Sequence, residues 1–231
     1  MKGRIKSEMI TKVMIVFIVG FFIGSILEYF AYKIPKEETK PFLENVGECR
    51  TYIRKIINKE TIIAFMMGII YAALYFKYGL SICFFRYALI LSIFFIVSVI
   101  DFKTQNIYLK TTLPAFIISI VFVTIDFITG NTAYAKSCLL AGLGAALLFA
   151  FLAFIHGVGW GDVEIITICG LNTGVFKTGT LILLSMIICI VYGLTRMIYS
   201  RFKEKKKLKL STYTVDYAMS IFVSMLLVTF L

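Results

Sequence analysis

The amino-acid sequence predicts an all-α membrane protein, built as a bundle of about eight transmembrane segments. Hydrophobic residues make up 60% of the 231 residues, whereas soluble domains usually contain about 45–50%. Apolar runs near the length that crosses a bilayer as a helix recur from one end of the chain to the other. These runs leave no room for a large soluble domain, so we expect residues 1–231 to form a single membrane-embedded domain.

Polar or glycine-containing stretches divide the chain into its apolar segments. The sixth segment is short and is interrupted by Gly170, Asn172 and Gly174. We expect it to be a tilted or partly re-entrant piece, because irregular backbone at that depth must be covered by protein or by a water-filled cavity. The predicted segments are 9–32, 61–78, 81–100, 112–129, 134–155, 163–175, 180–199 and 213–231.

The basic residues lie between the apolar segments, so the net charge of +11 predicts membrane orientation rather than nucleic-acid binding. Cytoplasmic loops of membrane proteins carry an excess of Lys and Arg. This bias places the short loop 33–60 and the basic loop 200–212 in the cytoplasm. Counting spans from there puts 101–111 and 156–163 on the cytoplasmic side as well. The same count puts the N-terminus outside, against the basic residues that it carries.

Two carboxylates are the strongest candidates for chemistry. Asp101 closes the very apolar run 90–100, and Asp162 follows the glycine-rich stretch 156–161. An ionisable group within a span costs roughly 2.5–3.5 kcal/mol, so it is a functional candidate by default. Two complete spans separate the two aspartates along the chain. They therefore share one membrane face whichever way the protein is inserted.

The residues around Asp162 suggest how such a pair would work. Gly157, Gly159 and Gly161 let the backbone adopt positive φ and approach another chain segment closely, and they place Asp162 at the start of a helical segment. Two facing carboxylates share one proton, because like charges that close cannot both ionise. One carboxylate then takes a proton from water while the other polarises a carbonyl, which hydrolyses a peptide bond without a metal. The alternative is that Asp101 and Asp162 are solvated helix-end residues.

Other residue types narrow the chemistry. The five cysteines include no CxxC pair, and His156 is the only histidine, which excludes a multi-histidine metal site. The only tryptophan, Trp160, lies at the same level as His156. It is either an anchor at the membrane interface or a wall of a substrate groove.

Three stretches together resemble the type IV prepilin peptidases. Gly-Trp-Gly-Asp at 159–162 is similar to the family's GxGD motif, which presenilin-like proteases share. Asp-Phe-Lys-Thr-Gln-Asn-Ile at 101–107 is similar to the family's first catalytic-aspartate motif. The stretch 24–35 resembles the segment that closes the family's first span. The resemblance covers nearly the whole chain.

The resemblance implies a catalytic pair formed by Asp101 and Asp162, approached through the three glycines. It implies that the enzyme cuts the basic leader of a prepilin or pseudopilin at the cytoplasmic face of the cell membrane, just after a glycine. The expected partners are this substrate helix and the lipid bilayer, and the peptidase reaction needs no cofactor. Candidate substrate contacts are Lys103, Trp160 and Glu164.

Departures from the family pattern limit these implications. Bifunctional members carry two CxxC pairs that bind zinc in the first cytoplasmic loop, and they methylate the new N-terminus with S-adenosylmethionine. Here the loop 33–60 keeps only Cys49, so we expect no zinc and do not favour the methyltransferase activity. Glu164 stands where the family often has Lys, and Tyr108 stands where it usually has Pro. These changes indicate a divergent paralogue or an altered substrate.

Two other functions fit parts of the sequence. A presenilin-like intramembrane protease would use the same motif at 159–162 but would cut within a span, and the stretches 24–35 and 101–107 argue against it. A non-enzymatic transporter would use Asp101 and Asp162 as a proton or cation site. The sequence identifies neither the particular prepilin-like substrate nor the oligomeric state.

Overall fold

The computed structural model describes residues 2–33, 61–204 and 217–231. These ranges form α-helices joined by short loops and contain no strand, which confirms the predicted all-α class. The loop residues 34–60 and 205–216, on which the predictions about the two basic cytoplasmic loops rest, lie outside the described ranges. The described helices are α1 (Lys2–Lys33), α2 (Thr61–Tyr78), α3 (Ile82–Thr104), α4 (Leu109–Ile128), α5 (Thr132–Phe154), α6 (Trp160–Glu204) and α7 (Tyr217–Phe230).

The lengths and compositions of these helices fit a multi-pass membrane protein. Five of them are long and apolar enough to cross a bilayer: α1 over Met9–Glu28, α6 over Trp160–Ile198, and the whole of α3, α4 and α5. Helices α2 and α7 are apolar but shorter. The total of about eight spans therefore stays a prediction.

The chain divides into two compact units, Met1–Ile96 and Val97–Leu231. In the first unit, glycines bring α1 and α2 into close contact. A Cβ atom added to Gly20 would lie 2.7 Å from Cβ of Tyr71, and one added to Gly24 would lie 2.8 Å from Cα of Ala64. Small residues four positions apart on one helix face allow two membrane helices to approach in this way.

In the second unit, helix α6 bends sharply at Gly174. The φ of 74° and ψ of 172° at this residue lie outside the helical region and belong to a region that is essentially restricted to glycine. A straight helix would separate Asp162 from Cys189 by about 40 Å, yet both residues line one cavity. The two limbs of α6, residues 160–173 and 175–204, therefore fold back beside each other.

The predicted sixth and seventh segments correspond to these two limbs. The first limb is helical throughout and packs tightly on α5, since a Cβ atom on Gly170 would lie 2.7 Å from the backbone nitrogen of Gly142. Polar contacts from α5 hold the bend. The Val175 N–H donates to Ser137 Oγ at 3.1 Å, and the Tyr134 hydroxyl donates to the Asn172 carbonyl at 2.9 Å. The interruption of the sixth segment is thus a bend that α5 covers.

Candidate active site

Asp101 lies in the last turn of α3 and has only 7% of its surface exposed. The helix ends after Thr104 because Gln105 adopts a positive φ of 54° while its N–H still donates to the Asp101 carbonyl at 2.7 Å. The side-chain Oδ2 of Asp101 accepts a hydrogen bond from the backbone N–H of Ala218 at 3.3 Å. The start of α7 therefore holds a carboxylate that α3 presents.

Asp162 lies in the first turn of α6 and has 9% of its surface exposed. Its Oδ2 accepts the backbone N–H of Gly159 at 3.2 Å, and its own N–H donates to the Gly159 carbonyl at 3.1 Å. An acid three residues after the N-cap that accepts the N-cap N–H is one half of a capping box. The predicted position of Asp162 at the start of a helix is therefore confirmed, and a local contact orients its carboxylate.

The structure brings these two carboxylates together. Asp101 interacts electrostatically with Asp162, and the chain segments next to the two residues touch each other. A Cβ atom on Gly161 would lie 2.5 Å from Cβ of Ile107, so the first turn of α6 rests directly on the loop after α3. The two aspartates are thus near each other, which is consistent with their predicted place on one membrane face; that place and their catalytic roles stay predictions.

Gly157, Gly159 and Gly161 do not adopt the positive φ that glycine allows. His156 makes the turn instead, with a φ of 59°. Its N–H and that of Gly157 donate to the carbonyls of Ala153 at 3.0 Å and Leu152 at 2.9 Å, which is a Schellman motif that ends α5. The chain has therefore already reversed before Gly159 and Gly161. Of the three roles given to the glycines, the structure supports close approach, at Gly161, and the helix start at Asp162. Within the described ranges, the glycines with positive φ are Gly79, Gly130 and Gly174.

A cavity of about 480 Å³ opens beside Asp162. The ring of Tyr217 forms one wall and stacks on Phe149, with ring centroids 6.4 Å apart, while the Tyr217 hydroxyl lies 2.8 Å from Ser185 Oγ. Asp101 lies outside the lining. The residues that line the cavity are Phe149, Gly157, Val158, Gly159, Asp162, Met186, Cys189, Ile190 and Tyr217.

Three residues of this site carry no sequence signal. Tyr217 and Ala218 begin α7 in an apolar segment without a motif, and Cys189 lies within another. Ala218 contributes its backbone N–H, a donor that every residue other than proline possesses. Folding alone brings them to the aspartates, because α7 and the second limb of α6 are distant from both motifs along the chain.

The three predicted substrate contacts lie in different places. Lys103 is exposed in the last turn of α3 and does not line the cavity of Asp162. Trp160 is 64% exposed at the start of α6. Glu164 is half-buried and accepts a hydrogen bond from Thr112 Oγ1 on α4. Trp160 and Glu164 line a separate groove, which α4 and the first limb of α6 form.

Among the described residues, no three His, Cys, Asp or Glu side chains lie close enough together to hold a metal ion. Cys49 lies in the loop outside those ranges, so the expectations about zinc and S-adenosylmethionine stay predictions.

Comparison with known proteins agrees with this geometry. Residues 88–194 match the type IV leader peptidase family, and the matched segment contains Asp101, Asp162 and the glycine-rich stretch between α5 and α6. No curated protein and no solved structure matches the chain. The family match indicates a protease and fits the several membrane-spanning helices. The match over residues 88–194 supports assigning the chain to the type IV leader peptidase family.

Proposed function

We propose that this protein is an aspartyl endopeptidase that removes the basic leader of type IV prepilins or pseudopilins at the cytoplasmic face of the membrane. The observation that carries the proposal is that two buried carboxylates from separate helices, Asp101 and Asp162, lie near enough to interact electrostatically, with an open cavity beside Asp162. Burying an ionisable side chain in a membrane protein costs free energy, so such residues usually have a partner or a function. A pair of this kind suits hydrolysis of a peptide bond.

In the proposed reaction, a water molecule lies between the two carboxyl groups, which share one proton. The ionised carboxylate takes a proton from the water as the water oxygen attacks the carbonyl carbon of the scissile bond. The other carboxyl group gives its proton to the carbonyl oxygen. When the tetrahedral intermediate collapses, the C–N bond breaks, and the carboxyl group that took the water proton gives it to the leaving amide nitrogen. The other carboxylate takes a proton back from a hydroxyl group of the intermediate, so the products are an amine and a carboxylic acid. Both carboxyl groups then regain their starting proton count.

The hydrogen bonds of the site support this role. Oδ2 of Asp101 and Oδ2 of Asp162 each accept one backbone N–H, from Ala218 and Gly159. Backbone donors cannot rotate away as side chains do, so they hold the carboxylates in a fixed orientation before substrate arrives. The cavity beside Asp162 has about 480 Å³, a size typical of ligand-binding pockets.

The proposed substrate class rests on the sequence motifs, and the proposed cytoplasmic location of the site rests on the distribution of basic residues. The loops that carry Asp101 and Asp162 fall on the cytoplasmic side when the basic loop 200–212 is placed inside. A prepilin would enter as an apolar helix with its basic leader in the cytoplasm. We do not extend the proposal to methylation of the new N-terminus, because the loop 33–60 keeps only one cysteine.

The test replaces each aspartate separately by asparagine and measures cleavage of a co-expressed prepilin in membranes. Asp101→Asn and Asp162→Asn keep the size of the side chain and its capacity to accept the backbone N–H. Each should lower the rate of cleavage by about a thousandfold or more, because neither amide can exchange protons with water.

Asp126→Asn is the matched control, since Asp126 is a buried acid, 6% exposed, near the far end of α4. This variant should still cleave. Full cleavage by either Asp101→Asn or Asp162→Asn would contradict the proposal. Ion flux that both variants lose, in a protein that never cleaves a prepilin, would favour a transporter instead.

A further inference from the structure

A groove of about 280 Å³ lies between α4 and the first limb of α6. Its walls are mainly aliphatic and aromatic, and they contain one carboxylate, that of Glu164. Thr112 is the hydrogen-bond partner of Glu164 among the described residues, and those residues supply no cation to it. The residues that line the groove are Leu109, Thr112, Leu113, Phe116, Trp160, Val163, Glu164, Thr167 and Ile168.

Trp160 and Glu164 form a matched pair in this groove. They are four residues apart, so they project from the same face of α6. The indole of Trp160 is 64% exposed, and the face of an indole attracts cations. An exposed indole beside a carboxylate that a neutral threonine binds is therefore a site for a positive charge. The apolar residues of α4 suit the methylene stem of a lysine or arginine side chain.

The groove is connected to the cavity of Asp162 by shared residues. Trp160 lines both the groove and a broad depression of about 790 Å³. The stretch 157–159 lines both this depression and the cavity beside Asp162. The three hollows therefore adjoin one another around the start of α6. A peptide in extended conformation advances about 3.3–3.6 Å per residue, so a few residues would reach from Asp162 to Glu164.

We propose that Trp160 and Glu164 bind a lysine or arginine side chain of the peptide substrate, a few residues from the bond that is cut. This inference rests on the proposed peptidase function and adds the residues that select the basic leader. Glu164 supplies the charge, Trp160 supplies the cation–π surface, and Thr112 fixes the carboxylate. Because the site lies off the cavity of Asp162, it selects the substrate without taking part in proton transfer.

The first test compares a leader peptide that contains lysines with the same peptide in which glutamines replace them. The protein should cleave the basic peptide with a kcat/KM about tenfold higher. Glu164→Gln keeps the shape of the side chain. It should make kcat/KM nearly equal for the basic and neutral peptides, mainly by changing KM for the basic one. Glu164→Lys should favour a leader that carries glutamates. Asp126→Asn, which removes a carboxylate outside the groove, should keep the wild-type ratio.

The second test measures binding without cleavage. Trp160 is the chain's only tryptophan, so its fluorescence reports on the groove directly. In the Asp162→Asn variant, the basic peptide should change the emission at a concentration about tenfold lower than the neutral peptide. Adding Glu164→Gln should remove that difference.

These measurements separate the two proposals. Selective binding of the basic peptide without any cleavage would keep the inference and overturn the peptidase function. Cleavage of basic and neutral leaders at equal rates, with equal binding, would overturn the inference and keep the peptidase function. A Trp160 signal that follows the lipid headgroup of the vesicle, and not the peptide, would identify the groove as a lipid site and also overturn the inference.

Discussion

Asp101 and Asp162 are held in place in two different ways. Asp162 accepts a hydrogen bond from Gly159, three residues earlier in the same turn, whereas Asp101 accepts one from Ala218, 117 residues further along the chain. The first contact forms whenever the start of α6 forms. The second forms only when α7 has packed against the end of α3. One half of the candidate site is therefore local, and the other half depends on the tertiary structure of the second unit.

The two halves meet at Gly161 and Ile107. Neither residue carries a functional group, yet their contact sets how far the loop after α3 lies from the first turn of α6. A shift here would move both carboxylates relative to each other, although each would keep its own backbone hydrogen bond. The contact between the loops is thus a third requirement, separate from the two hydrogen bonds.

Among the contacts that hold the two aspartates in place, the one between Gly161 and Ile107 should have the largest effect when it is broken. Gly161→Ala places a Cβ atom 2.5 Å from Cβ of Ile107, so the loops must separate. A displacement near 1 Å in a catalytic site typically costs about a hundredfold in rate, and we expect a loss of that size in kcat/KM for prepilin cleavage. Gly144→Ala, at a position with no atom within 4 Å of the added Cβ, is the control and should cleave normally.

The double variant Gly161→Ala with Ile107→Ala sharpens this prediction. Removing most of the Ile107 side chain makes room for the new methyl group. The double variant should therefore be more active than the sum of the two single effects predicts. A Gly161→Ala variant as active as the wild type would show that this contact does not align the pair.

A smaller effect should follow from removing the long-range hydrogen bond to Asp101. Ala218→Pro eliminates the backbone N–H while proline remains tolerated in the first turn of a helix. Losing a hydrogen bond to a charged group should lower kcat by about tenfold and leave KM nearly unchanged, because the cavity beside Asp162 keeps its walls. Ala218→Ser retains the N–H and should keep most of the activity. An Ala218→Pro variant with wild-type kcat would show that the hydrogen bond from Ala218 to Asp101 does not support catalysis.

The smallest effect on catalysis should come from the bend of α6. Gly174→Ala forces a side chain into a conformation that is essentially restricted to glycine, at a cost of about 1–3 kcal/mol in the free energy of unfolding. The added Cβ would also lie 3.0 Å from Ser137 Oγ. Denaturation in detergent micelles measures this loss, and Gly179→Ala, whose Cβ meets no atom within 4 Å, is the control. Equal stability of the two variants would contradict the role assigned to Gly174.

The sequence predicts the local half of the site well. Asp162 begins a helix as its position after the glycines predicts, and Asp101 closes the helix that its apolar run predicts. The residue with positive φ is His156, because the cap that ends α5 turns the chain before Gly159 and Gly161. The groove at Trp160 and Glu164 could be anticipated only as two separate residues. Their four-residue spacing places them on one face, but nothing in the sequence shows that Thr112 lies opposite.

The sequence by itself determined that this is a helical membrane protein with two unusual carboxylates at one end of the bundle. Composition, the length of the apolar runs and the number of intervening spans suffice for that, because the bilayer restricts the backbone to helices of known length. The tertiary structure alone decided that Gly174 folds α6 back on itself and that Gly161 rests on Ile107. It also decided that the N–H of Ala218 reaches Asp101. These contacts join residues that are distant along the chain and have no chemical signature, so only close packing reveals them.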